Sequence, residues 1–239
     1  MELYWTHKVE GHQIFLDEEE SHHCIKVMRH HAGDIVEVTD GQGKKYTASV
    51  VIENRRECVL EIREPVQSVP GNKTHLHLAI APTRNIDRFE WLLEKITEIG
   101  IDEITPLICH RSERSQVKHE RLNKLLVTAM KQSLRSWLPR LNEAVKFRQF
   151  MSEVPVDLNQ SEFAAIICHC QQKGLPLLKT IYQAKKKTLI LIGPEGDFTP
   201  QEIDAAESKG FTAASLGTAR LRTETAGLVA IHTVQLLNS

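Results

Sequence analysis

From His75 to the end of the chain, short apolar runs alternate with amphipathic stretches, and no other feature constrains the fold as much. HLHLAIA reads as a strand. NIDRFEWLLEKITEIG places Ile86, Phe89, Leu93, Ile96 and Ile99 at helical spacing and stops at Gly100. IDEITPLIC, FAAIICHC, TLILIG and TAASLG read as further strands. KHERLNKLLVTAMKQS, PQEIDAAESKG and ETAGLVAIHTVQLLN read as helices. Strand and helix in strict alternation predict a mainly parallel sheet with helices on both faces.

Residues 1–70 have a different texture. GDIVEVTDGQGKKYTASVVIENRRECVLEIRE alternates apolar and polar residues, and Asp40-Gly41 with Gln42-Gly43 marks a tight turn. Short strands with frequent turns predict a small β-barrel or sandwich. Within this part, DEEESHHCIKVMRHHAGD predicts a short helix ending at Gly33. VQSVPGNKT, with Pro70-Gly71, is the expected linker, dividing the chain into 1–70 and 71–239.

The net charge is only −1, so the whole-molecule field neither attracts nor repels nucleic acid. The average hides a local bias: between Arg111 and Arg148 ten Lys/Arg stand against three acids. Such a stretch is either the footprint of a polyanion partner or a solvated helix face. Five cysteines, with no apolar leader in MELYWTHKVEGHQ, point to a reduced, cytosolic protein. No apolar run approaches the ~18 residues a membrane span needs.

The buried strand TLILIG leads into GPEGDF and then a well-signalled helix start, with Thr199 as N-cap, Pro200 at the first position and Glu202 three residues after the cap. Loops at the carboxyl ends of strands are where open α/β sheets bind ligands. Phosphate is disfavoured, because the loop lacks a Walker lysine and a G-x-G-x-x-G, and Glu195 and Asp197 repel anions. A neutral or cationic ligand fits, as does a plain strand-to-helix turn with no ligand. LGTARLRTETAG again follows a strand and precedes a helix, so the two loops are candidates for two walls of one pocket.

Together these stretches resemble the SPOUT class of methyltransferases, and more narrowly the RsmE family of 16S rRNA (uracil(1498)-N3)-methyltransferases. LILIGPEGDFTPQEIDAAESKGF and LGTARLRTETA resemble the family's most specific motifs, and FEWLLEKITEIGIDEITPL, HRSERS and KQSLRSWLP its other blocks. KVMRHHAGD and DGQG resemble its RNA-binding PUA-like barrel. Departures are Asp197 where many relatives carry a second Gly, Ala219-Arg220-Leu221 where many carry Arg-Ile-Leu, and Gly227 inside a helix.

The resemblance implies an α/β trefoil knot after an N-terminal PUA-like β-barrel, a homodimer, and S-adenosylmethionine held by the knot loops. By that similarity Leu191, Ile192, Gly193, Pro194, Glu195, Gly196, Leu216, Gly217, Leu221, Arg222 and Thr223 line the cofactor site. Arg222 is the expected stabiliser of charge on the uracil carbonyls. Glu195 and Glu224 are both candidates for the N3 proton, and the sequence does not choose between them. The matched blocks and the basic segment give Lys26, Arg29, Arg111, Arg114, Gln132 and Arg135 as RNA contacts on 16S rRNA in the small subunit. Other readings are a SPOUT enzyme acting on tRNA or 23S rRNA, and a non-catalytic RNA-binding module. His22–Cys24, His30-His31 and Cys168–Cys170 lack zinc-ligand spacing, and no metal is expected.

Overall fold

The computed structural model describes residues 2–154, 162–185 and 187–238. The chain divides into two compact units, Met1–Gly71 with Val127–Leu138, and Asn72–Leu126 with Pro139–Ser239.

The first unit is a curled, mostly antiparallel sheet, the PUA-like barrel the sequence implies. It contains β1 (Leu3–Trp5), β2 (Lys8–Glu10), β3 (Gln13–Phe15), α1 (Glu18–His22), β4 (Ile35–Thr39), β5 (Lys44–Ile52), β6 (Val59–Ile62) and β7 (Gln67–Ser68). The strand order is β1-β4-β5-β6-β3-β2, with β7 on β5 and only the β1–β4 pair parallel among these. Alternate residues point inward, so Tyr4, Ile14, Val38, Ala48 and Leu60 share one core. The Asp40 carboxylate accepts from the Gln42 and Lys44 amides and closes the β4–β5 turn.

α1 is capped by Asp17, which accepts from the Glu20 amide at 2.8 Å, and it continues as one π-helical turn over His23–Val27. Helical backbone ends before Arg29, whose φ is +60°, short of the expected stop at Gly33. Gly33 lies in the following loop and donates to the Val50 carbonyl at 2.9 Å.

The expected division at 70/71 omits Val127–Leu138, which belongs with the barrel for visible reasons. Lys131 forms an ion pair with Glu20, and Glu20 also accepts from the Trp5 amide at 3.0 Å. The Trp137 indole donates to the Val69 carbonyl at 2.9 Å. It lies so close over Gly43 that a Cβ there would sit 2.4 Å from the ring.

The second unit contains β8 (His75–Ile80), α2 (Ile86–Ile99), β9 (Glu103–Ile108), α3 (His119–Gln132, whose last turns pass to the barrel), β10 (Arg140–Leu141), β11 (Val145–Lys146), α4 (Phe147–Glu153), β12 (Phe163–Cys168), α5 (Leu178–Ile181), β13 (Lys187–Ile192), α6 (Pro200–Ser208), β14 (Thr212–Ala214) and α7 (Thr223–Leu237). The sheet is parallel in the order β10-β9-β8-β13-β12-β14, with β11 extending the β9 edge. Both faces are covered, as the strand–helix alternation predicts. Ala79, Leu107, Ile167, Leu189 and Leu191 pack with α4 and α6 through Phe147, Phe150, Ile203 and Ala206. α2 and α7 pack together, and α7 also lies on β8 and β13.

Before reaching that face the chain is laced to the β12–β13 connection. The Ser215 amide donates to the Pro176 carbonyl at 2.8 Å, and the Leu178 amide donates to the Ser215 carbonyl at 2.9 Å. The chain then crosses from the edge strand β14 to the centre of the sheet, where α7 lies on β8 and β13. In α2, Asn85 caps the start and Gly100, with φ of +106°, ends it, as its sequence signals predict.

Candidate functional site

At the carboxyl end of the parallel sheet, the loops after β12, β13 and β14 surround a cavity of about 910 Å³. Its walls are Cys168–Leu175 with Leu177, Ile192–Asp197, and Ser215–Thr223, with Ala226 of α7 below. The size falls within the range of small-molecule sites, roughly 300–1,000 Å³.

The β13 loop is held by its neighbours. Thr199 and Glu202 form a reciprocal capping box at the start of α6. The second Glu202 oxygen accepts from the His110 amide at 2.8 Å, tying α6 to the loop after β9. From that loop Arg111 donates to the Gly196 carbonyl at 2.8 Å and to the Phe198 carbonyl at 3.3 Å. Arg114 donates to the carbonyls of Thr83 and Arg84 in the loop after β8. Glu195 in turn accepts from the Arg84 amide at 2.8 Å. A guanidinium engaged by fixed carbonyls orients both partners at low entropy cost, so the floor of the cavity is a braced set of loops.

Of the residues expected to line a cofactor site, Ile192, Gly193, Pro194, Glu195, Gly196, Leu216, Gly217, Leu221, Arg222 and Thr223 are all on the cavity wall. Leu191 is not: strand alternation turns its side chain into the core against α4 and α6. Arg222 is the N-cap of α7, with an exposed side chain that makes no capping hydrogen bond. Among the described residues it and Arg220 have no charged partner, so two guanidiniums on the cavity wall are open to a ligand. Glu224, one residue inside α7, is buried, away from the cavity wall, with Arg88 of α2 at 4.0 Å.

The third wall, the loop after β12, is missed by the sequence reading, which treats CHC as the end of a strand. The signal was present: Gly174 and Pro176 punctuate a connection leaving a strand's carboxyl end. His169 at its start is 6% exposed, and neither ring nitrogen has a partner among the described residues. Burial lowers its pKa, outweighing the nearby Asp197 and Glu207. Among the described residues no group of three or more His, Cys, Asp or Glu is placed to hold a metal ion.

The residues expected to contact RNA divide between the units. Lys26 and Arg29 are exposed on and just after the π-turn of the first unit, and Gln132 ends α3 with Arg135 in the segment that follows it in the same unit. Arg111 and Arg114 belong to the second unit, where they are the loop braces described above.

Comparison with known proteins gives one consistent result. Residues 70–235 match a family model described as an RNA methyltransferase domain, and residues 16–63 match one described as an RNA methyltransferase PUA domain. The ribosomal RNA small subunit methyltransferase E of Synechocystis sp. is 30% identical over 220 residues, 90% of this chain and 70% of that protein. The crystal structure of a probable rRNA-methyltransferase from Porphyromonas gingivalis superposes with a TM-score of 0.89 at 33% identity, over 100% of this chain and 98% of that one. The structure of a ribosomal RNA small subunit methyltransferase E from Neisseria gonorrhoeae, bound to S-adenosyl methionine, gives a TM-score of 0.87 at 25% identity, over 99% and 98%.

Proposed function

This chain belongs to the RNA methyltransferase family, and within it to the ribosomal RNA small subunit methyltransferase E group; on that premise we propose that it methylates N3 of the uracil at position 1498 of 16S rRNA, using S-adenosylmethionine. When bound, S-adenosylmethionine supplies an electrophilic methyl group on a cationic sulfur. The observation that carries the reading is the braced cavity of three knot loops with an unpartnered Arg222 on its wall.

The residues fit such a ligand. Gly193 and Gly196 offer backbone at close range, and the walls present a carboxylate (Glu195) as well as guanidiniums (Arg220, Arg222), as a zwitterion requires. N3 lies on the Watson–Crick edge, so the target base must be unpaired or flipped out to react. As the N3 proton leaves, negative charge grows on the flanking carbonyls, and the Arg222 guanidinium is the group placed to fork onto one of them. Holding the uracil at attack distance supplies much of the remaining rate. Of the two acids considered for the proton, Glu195 is on the cavity wall and Glu224 is not, which makes Glu195 the better candidate.

RNA is held by the barrel unit through Lys26, Arg29, Gln132 and Arg135, and a basic surface of this kind makes binding salt-dependent. Arg111 and Arg114 act first by shaping the cavity. The active form is a homodimer, a reading supported by exposed Trp91 on α2 and exposed Leu236 and Leu237 on α7. Sedimentation giving a monomer at micromolar concentration would count against it. No helix among the described residues is long and apolar enough to cross a membrane, and a ribosomal substrate would place the enzyme in the cytoplasm.

Titration of S-adenosylmethionine into wild type and Arg222→Ala, followed by methyl transfer to unmodified small subunits, tests the reading. Both proteins should bind the cofactor, and transfer by the variant should fall by roughly a hundredfold or more, the usual cost of losing a donor to developing charge. A folded wild type that binds no S-adenosylmethionine would overturn the assignment.

A further inference from the structure

Asp197 follows the GPEG stretch with φ of +62°, a left-handed conformation that glycine adopts freely and most side chains avoid. Aspartate is among the few residues that tolerate it, yet glycine would remove the strain altogether. The side chain must therefore do something glycine cannot. Its Oδ2 accepts from the Cys170 amide at 2.8 Å and from the Gln171 side-chain amide at 3.3 Å, while Oδ1 accepts from the Phe198 amide at 2.8 Å.

These bonds join the β13 loop to the loop after β12. That second loop exposes Cys170 through Gly174 to solvent, and at its far end it is tied to Ser215 through Pro176 and Leu178. Without Asp197 its near end would lose these hydrogen bonds to the β13 loop, and an exposed loop left to itself samples many conformations. The two acids of GPEGD thus have separate tasks: Glu195 fastens the loop after β8, and Asp197 fastens the loop after β12.

We propose that Asp197 is a positioning residue for the cofactor cavity, holding the β12 loop as its third wall and thereby setting the affinity for S-adenosylmethionine without touching the reacting atoms. The inference rests on the cofactor named above for this cavity. A wall fixed before binding costs the ligand no ordering entropy, so affinity falls when the wall is released while the chemical step does not.

The test compares wild type, Asp197→Gly and Asp197→Asn by calorimetric titration with S-adenosylmethionine, and by trypsin cleavage after the exposed Lys173 in the absence of ligand. Asp197→Gly relieves the backbone while deleting the acceptor. Its dissociation constant should rise by about tenfold, the worth of a charge-assisted hydrogen bond, and Lys173 should be cut faster. Asp197→Asn keeps one acceptor oxygen for the Cys170 amide but turns its NH2 towards the Phe198 N–H and loses the charge, so its affinity and cleavage should fall between those of the other two. The turnover number at saturating S-adenosylmethionine should be the same in all three.

Wild-type affinity and an equally protected Lys173 in Asp197→Gly would reduce Asp197 to an ordinary turn residue. A weakened affinity in Asp197→Gly with Lys173 still as protected as in wild type would overturn the proposal in favour of a direct effect of the carboxylate's charge on the ligand. Fast exchange of the Cys170 amide in folded wild type would also overturn it, and that measurement needs no variant. If wild type binds no S-adenosylmethionine, the proposed function fails, while cleavage at Lys173 and exchange at Cys170 still decide whether the clamp exists.

Discussion

Gly227 occupies the interior of α7, a position where helix propensity alone favours alanine by about 1 kcal/mol. A Cβ at this position would sit 2.8 Å from Cδ1 of Ile80 and 3.1 Å from Cδ2 of Leu92. Both neighbours are fully buried, so they have little room to retreat. Overpacking a tight core costs about 1–3 kcal/mol, which exceeds the propensity gain. Gly227→Ala is therefore expected to lower stability by roughly 1 kcal/mol, the net of these two terms. Urea denaturation would read the sign directly, and a more stable variant would mean that α2, α7 and β8 have slack at their contact. The two glycine-related departures from the family pattern thus have opposite causes: glycine at 227 makes room for a neighbouring helix, and aspartate at 197 accepts strain to bind a neighbouring loop.

At the level of elements, α3 shows how charge and packing divide the work. Its last turns carry Lys131 onto Glu20 of α1, with side chains only 16% and 7% exposed. An ion pair that dry adds little net stability, but removing one partner strands the other charge. Lys131→Met should cost roughly 3 kcal/mol, and adding Glu20→Gln should recover a large part of it. Equal losses in the single and double variants would show that the Glu20 carboxylate is not the source of the penalty. The sequence shows which elements were legible. α2 and α6 announce themselves, because Asn85, Gly100, Thr199 and Glu202 are capping residues acting locally. α4 does not: Lys146 at its N-cap makes no side-chain hydrogen bond, and the helix is held by Phe147 and Phe150 packing into the core. In the site, the glycines and Arg222 are readable as loop chemistry, and the β12 wall follows from the same rule applied once more. The partners of Arg111 and Arg114 are not readable, since a positive charge in a sequence does not say whether it will meet a phosphate or a backbone carbonyl brought near by the fold.

Across the whole molecule, the sheet sets the response to acid. His77 lies on β8, with its Nε2 2.7 Å from Thr105 Oγ1 of β9 and its ring edge-on to Phe150 of α4. Burial lowers its pKa to about 4; Glu103 pulls the other way, and His75 and Arg140 add to the depression. In the unfolded chain the same imidazole takes up a proton near pH 6.5. Between these values the unfolded state holds more protons, so stability rises with pH across the window and is lost as pH falls from 6.5 towards 4. Below about pH 4 both states are protonated at this site and its contribution levels off. The full shift corresponds to at most about 3 kcal/mol, and His169, depressed in the same direction by burial, adds to the slope. Unfolding free energies measured between about pH 7 and pH 4 should fall steadily for wild type. His77→Gln removes the titration while keeping a polar partner for Thr105, and should flatten much of that slope. Equal slopes in the two proteins would mean that the acid response originates elsewhere, in carboxylates whose folded-state pairing is lost at low pH.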